Sequence, residues 1–135
     1  MPQQQRRFIC LAIALLVVGG CGPAPDAETL TGEMLLARID AGDAPLTLDV
    51  RTPGEFAAGH IPGAVNIPHD AVAERFAELG VKPDDEIVVY CQSGRRAALA
   101  EDVLAGAGFR RVRHLEGDFA GWQADGRPVT TGPGS

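Results

Sequence analysis

Apolar and polar positions along this chain repeat with two different periods. Glu86-Ile87-Val88-Val89-Tyr90 is an apolar, β-branched run, which predicts a strand buried on both faces, as in a parallel sheet. Leu46 to Val50 and Val112 to Leu115 predict two further strands, and Gly63 to Ile67, bracketed by Pro62 and Pro68, another extended piece. Thr31 to Ile39 carries Leu35, Leu36 and Ile39 at helical spacing, with Thr31 placed as N-cap and Gly42 as the end. Pro53 to Ala58 reads as a short helix with proline in its first turn. Asp70 is expected to cap a helix over Ala71 to Leu79, closed by Gly80. Arg96 to Ala107 predicts a helix with Leu99, Val103 and Leu104 on one side, closed by Gly108, and Phe119 to Gln123 a last turn. Strand and helix alternate throughout, which predicts an α/β domain around a parallel sheet. Binding sites of such sheets form beyond the carboxyl ends of the strands, and Cys91 sits at one of those ends.

The first residues follow a different logic. Arg6 and Arg7 precede an apolar run from Phe8 to Val18, and Gly19, Gly20 and Cys21 come next. A charged start, a short apolar stretch and small residues predict a secretory signal over 1–20. The run is shorter than the roughly 20 residues a membrane-spanning helix needs. Val18-Gly19-Gly20-Cys21 resembles the lipobox of bacterial lipoproteins. That resemblance implies cleavage before Cys21, acylation of that cysteine, and a lipid-anchored domain on the periplasmic side of a bacterial membrane. By the same resemblance, Gly22 in place of an aspartate weakly favours the outer membrane and leaves the inner one open. Residues 21–28 then form a lipidated tether, of which Gly22 to Glu28 reaches at most about 25 Å, leaving 29–135 as the folded domain.

Charge narrows the partners. The chain carries a net charge of −6 over 135 residues, and loss of Arg6 and Arg7 with the signal leaves −8. An acidic domain lacks the basic footprint that nucleic-acid binding requires, so any anion site must be built locally. Of the three cysteines, Cys10 leaves with the signal and Cys21 is lipidated, so Cys91 remains as the one free thiol. His60, His69 and His114 show no ligand spacing with it, so neither a zinc site nor another cofactor is expected.

Tyr90-Cys91-Gln92-Ser93-Gly94-Arg95-Arg96 connects the buried strand to a helix. Unpaired amides and the dipole at a helix start favour an anion, and a thiolate there is stabilised. Gly94 allows successive amides to converge into a nest. Arg95 and Arg96 supply cations for a charged substrate. Such a pocket suits attack by Cys91 on the outer sulfur of an anionic donor such as thiosulfate, giving a persulfide that cyanide or a thiol then discharges.

Cys91-Gln92-Ser93-Gly94-Arg95-Arg96 resembles the Cys-x-x-Gly-x-Arg active loop of the rhodanese family. Leu48-Asp49-Val50-Arg51, Glu55-Phe56 and Gly59-His60-Ile61-Pro62-Gly63-Ala64-Val65-Asn66-Ile67-Pro68 resemble its upstream signature, and Leu115-Glu116-Gly117 with Gly121-Trp122 its closing segment. The match runs from about Thr29 to Val129. It implies a five-stranded parallel sheet with helices on both faces, Cys91 as sulfur carrier, and residues 92–96 as its cradle. It also implies supporting roles for Asp49, Arg51, Glu55 and His60, with Arg51 placed to pair with Glu55 and His60 structural rather than a base for Cys91. Many relatives have Gly-Gly where this chain has Gly117-Asp118, which sets an acid near the loop. Phe119 and Trp122 are read as core. Two other functions compete: a phosphatase or arsenate reductase, whose Cys-x5-Arg loop is one residue longer than the Cys91-to-Arg96 loop, and a non-enzymatic sulfur carrier or membrane-proximal binding module.

Overall fold

The strand β4 (Glu86–Tyr90) occupies the middle of a five-stranded sheet whose every pairing is parallel. The computed structural model describes residues 29–134, so the expected signal and tether lie outside the described residues. β4 pairs with β2 (Leu46–Asp49) on one side and β5 (Arg111–Leu115) on the other; β1 (Thr29–Leu30) and β3 (Val65–Asn66) form the edges. The α/β class and the five parallel strands agree with expectation. β1, two residues long, adds a strand that the sequence pattern does not resolve.

Side chains of β4 alternate between two cores, as the pleat requires. Ile87 and Val89 enter one cluster with Leu48, Val50, Val72, Ala97, Ala100 and Leu104. Val88 and Tyr90 enter the other, with Leu30, Leu35, Phe56, Leu115, Phe119 and Trp122. Helices therefore cover both faces. α3 (Val72–Arg75) and α4 (Arg95–Gly106) pack on the first, while α1 (Gly32–Asp40), α2 (Pro53–Ala58) and α5 (Asp118–Ala124) pack on the second.

Local sequence explains most boundaries. Thr31 caps α1 by accepting from the Met34 amide. Thr52 and Glu55 form a reciprocal capping box around α2, with Pro53 in the first turn. Three expectations fail. Asp70 is not a cap: it lies inside a 3-10 turn, His69–Ala71, that follows Pro68 without a side-chain cap. The helix expected over 71–79 is α3 flanked by that turn and by a second 3-10 segment, Phe76–Leu79, ended by Gly80 in the left-handed region. Leu99 also departs from its expected place. It is exposed, and the sheet-facing stripe of α4 is Ala97, Ala100 and Leu104, whose small residues let the helix lie close to β4 and β5.

Candidate active site

Cys91 follows directly on β4, and α4 begins four residues later. The intervening loop is held by its own Gly94 and by α5. Gly94 takes φ +112, a conformation closed to ordinary side chains, and there its N–H donates to Cys91 Sγ at 2.9 Å. From α5, the amides of Phe119 and Ala120 donate to the carbonyls of Cys91 and Gln92 at 2.9 and 3.2 Å. From the same helix, Asp118 Oδ1 accepts from the Cys91 N–H at 3.0 Å. α4 starts without a side-chain cap, so its first amides precede the first intrahelical bond, Ala98 N–H to Gly94 C=O. A sulfur with a backbone donor, set before an uncapped helix start, is an arrangement that favours a negative charge on that sulfur.

The loop residues differ in exposure. Cys91 is 1% exposed. Gln92 and Gly94 are half-buried, while Ser93 and Arg95 reach solvent. Arg95 makes no salt bridge among the described residues and is the available cation at the mouth. Arg96, expected to contact substrate, is instead joined to Glu55 by two bonds, Nη1 to Oε2 at 2.8 Å and Nη2 to Oε1 at 3.0 Å. That fork ties the start of α4 to α2. Its guanidinium, with help from the Thr52 cap, holds the Glu55 carboxyl down at about 2.

The expected Arg51–Glu55 pair is therefore absent. Arg51 turns to Asp49 instead, with Nη2 at 2.7 Å from Oδ2 and Nε at 3.0 Å from Oδ1, and both side chains are buried. A second bond from Nη2 reaches the Gly59 carbonyl at 2.7 Å, and Nη1 donates to Gln92 Oε1 at 3.4 Å. The guanidinium lies over the Phe119 ring, 4.1 Å from its centre. Asp49 and Arg51 thus brace the loop by way of Gln92. Asn66 adds bonds from its amide to the Asp49 and Arg51 carbonyls, 2.9 Å each.

His60 packs against α2. It is buried, its Nδ1 is 2.8 Å from the Phe56 carbonyl, and its ring stacks on Phe56 at 3.6 Å. It lines a cavity of about 600 Å³ with Pro53, Phe56, Asn66, Thr130 and Pro133, and Cys91 is not part of that wall. Phe119 and Trp122 are core residues, as expected.

One group escapes the sequence reading. His114, on β5, stands between Glu101 of α4 and Asp118 of α5. Its Nδ1 is 2.6 Å from Glu101 Oε1 and its Nε2 is 2.9 Å from Asp118 Oδ2. The Asp118 and Glu101 carboxylates raise the imidazole to about 10. The four-residue step from His114 to Asp118 is a visible signal, but it crosses a strand-to-helix junction where no regular period applies.

Fold and site together define a class: parallel α/β domains that present a single cysteine on a glycine-hinged loop between a central strand and a helix. The model of the rhodanese-like domain family matches residues 31–125, and the chain belongs to that family. Among curated proteins, it is 33% identical over 105 residues to a sulfurtransferase of Allochromatium vinosum, covering 78% of this chain and 96% of that protein. It is 40% identical over 107 residues to an HTH-type transcriptional regulator of Mycobacterium tuberculosis, covering 78% of this chain but only 46% of the regulator. Among solved structures, the rhodanese-related protein of Thermoplasma volcanium superposes with a TM-score of 0.65 at 29% identity, covering 76% of this chain and 96% of that one.

Proposed function

We propose that this protein is a rhodanese-type sulfurtransferase that carries sulfur as a persulfide on Cys91. The observation that carries this reading is the Gly94 N–H bond to Cys91 Sγ at 2.9 Å, at the uncapped start of α4. The Cys91 thiolate attacks the outer sulfur of an anionic donor, for which thiosulfate is the convenient case. The S–S bond of the donor breaks, its electron pair leaves with sulfite, and Cys91 becomes a persulfide anion. Cyanide or a thiolate then attacks the terminal sulfur and returns Cys91 as thiolate, which closes a double displacement. Loop amides stabilise the anionic persulfide, and Arg95 at the mouth attracts the donor. Because Cys91 is 1% exposed, the loop must open to admit the donor, with Gly94 as the natural hinge.

The test is intact-mass spectrometry of the purified chain after thiosulfate and after a cyanide chase. A gain of one sulfur atom, lost on adding cyanide and missing in a folded Cys91→Ser variant, is the expected result. Retained transfer by that variant would sink the mechanism.

The same reading places the domain on the periplasmic side of a bacterial membrane, anchored through an acylated Cys21. Its support is the order Arg6-Arg7, apolar Phe8 to Val18, then Val18-Gly19-Gly20-Cys21. Among the described residues no helix is long and apolar enough to cross a membrane. Metabolic labelling with a fatty acid, present in the wild type and absent in Cys21→Ser, is the check.

A further inference from the structure

The carboxylate of Asp118 poses an electrostatic problem. It is 4% exposed and accepts directly from the backbone N–H of Cys91. Its other oxygen lies 3.0 Å from the point where a side chain on Gly94 would begin, and His114 Nε2 lies 3.5 Å from that point. The acid is therefore packed against both anchor points of the sulfur loop. A negative charge there opposes an anionic donor and an anionic persulfide alike.

The residue also takes a backbone conformation unique among the described non-glycine residues. Asp118 has φ 53, the one positive value among the described non-glycine residues. Left-handed backbone is open to glycine and, among other residues, is visited mainly by Asn and Asp, whose short polar side chains bond locally. Here it binds the Cys91 amide with one oxygen and the His114 imidazole with the other.

We propose that His114, held between Glu101 and Asp118, is the charge-balancing residue of the Cys91 loop. It neutralises a carboxylate that the loop needs as a hydrogen-bond acceptor, and so keeps the pocket receptive to anions. The inference rests on the sulfurtransferase reading only for the class of donor. The groups bonded to His114 are Glu101 from α4 and Asp118 from α5; Asp102 of α4 lines the same shallow pocket, and the neighbouring strands offer Thr29 and Val89 at its register, neither ionisable. With two carboxylates on one ring, the proton is held up to about 10, so the balance persists through the neutral range. Arg96, whose charge also acts on Cys91, is already committed to Glu55. His114 is accordingly a positioning residue that acts through Asp118, and touches neither donor nor sulfur.

The test reads local charge and does not depend on sulfur transfer. Alkylation of Cys91 in the full chain is followed by peptide mass spectrometry with two reagents of similar size, anionic iodoacetate and neutral iodoacetamide. Both consume the thiolate and both need the loop to open, so their rate ratio cancels ionisation and access. In His114→Gln the carboxylate loses its counter-charge, and the iodoacetate-to-iodoacetamide ratio falls by about three- to tenfold, the size expected of one partly screened unit charge. His114→Gln/Asp118→Asn returns the ratio to the wild-type value. Asp118→Asn alone, which keeps the oxygen that the Cys91 amide needs, leaves the ratio at or above wild type and covers the case in which His114→Gln does not fold. An unchanged ratio in folded His114→Gln, no recovery in the double variant, or a fall in Asp118→Asn overturns the inference. Each of these readings stands whether or not thiosulfate proves to be a donor.

Discussion

The N–H of Gly94 donates to the sulfur of Cys91 at 2.9 Å, and Gly94 reaches that position only through φ +112. Behind it stand Asp118 Oδ2 and His114 Nε2, 3.0 and 3.5 Å from where a Cβ would be placed. The hydrogen bond, the backbone conformation and the close approach all require the same missing side chain.

Gly94→Ala is therefore expected to do more harm to the site than to the fold. Strain at this φ costs about 1–3 kcal/mol if the loop keeps its shape. The loop can escape the strain by rotating, which removes the donor from the sulfur. Persulfide formation should fall by about tenfold or more, since the loss of one preorganised donor costs at least that much. Single-turnover sulfur loading and a denaturant titration of the same variant separate the two effects. A variant with wild-type loading would show that the Gly94 N–H bond is incidental.

How much of this was legible before the structure depends on how local the cause is. β4, its loop and Cys91 follow from a contiguous apolar run and a glycine, and they stand where the pattern places them. β1 is two residues long, too short to show a period. The buried stripe of α4 runs through Ala97 and Ala100, and alanine carries too little apolar weight to outvote Leu99 in a helical pattern. The Arg51–Glu55 pairing fails because nearer and better-placed partners exist for both side chains. Asp49, two residues back, reaches Arg51 first, and Arg96 arrives from 41 residues away to take Glu55. The Glu101–His114–Asp118 chain joins α4, β5 and α5, and only the packed fold brings those three together.

Arg51 is buried against Asp49, which is itself 0% exposed. Removing the guanidinium alone leaves a carboxylate without a partner in the core. Arg51→Ala should destabilise the domain by about 3–5 kcal/mol. The double change Asp49→Asn/Arg51→Met removes the stranded charge and should recover part of that loss. Urea unfolding of the two variants is the measurement. Equal destabilisation by both would assign the cost to lost packing on Phe119 and not to the charge.

Glu55 titrates at about 2 in the folded protein because Arg96 and Thr52 bind its ionised form. A lowered carboxyl stabilises the fold fully above its ordinary value near 4.5 and loses that contribution as pH falls toward 2. The pair is partly open to solvent, with 27% and 36% of the side chains exposed, so screening limits its worth to about 1 kcal/mol. Glu55→Gln should lower stability by about that amount at pH 7 and match the wild type near pH 2. Denaturant midpoints from pH 7 down to 2 test this, and a constant gap between the two proteins would refute it.

His114 gives the opposite limb. Its imidazole is raised from 6.5 to about 10 by Asp118 and then Glu101. A raised base contributes fully below the unfolded value and loses that contribution as pH climbs through the folded one. The window is thus pH 6.5 to 10, with stability falling as pH rises inside it. The folded state holds one proton that the unfolded chain has released, so the slope approaches about 1.4 kcal/mol per pH unit, and on the order of 3 kcal/mol should be lost by pH 9. Tyr90, whose hydroxyl burial drives upward, adds its own alkaline loss only above about pH 10, where an unfolded tyrosine ionises. His114→Gln should be less stable than the wild type at pH 6.5, with the gap closing as pH approaches 10. Parallel stability curves across that range would show that the imidazole does not carry its proton between the two carboxylates, and would remove the charge balance on which the Cys91 loop depends.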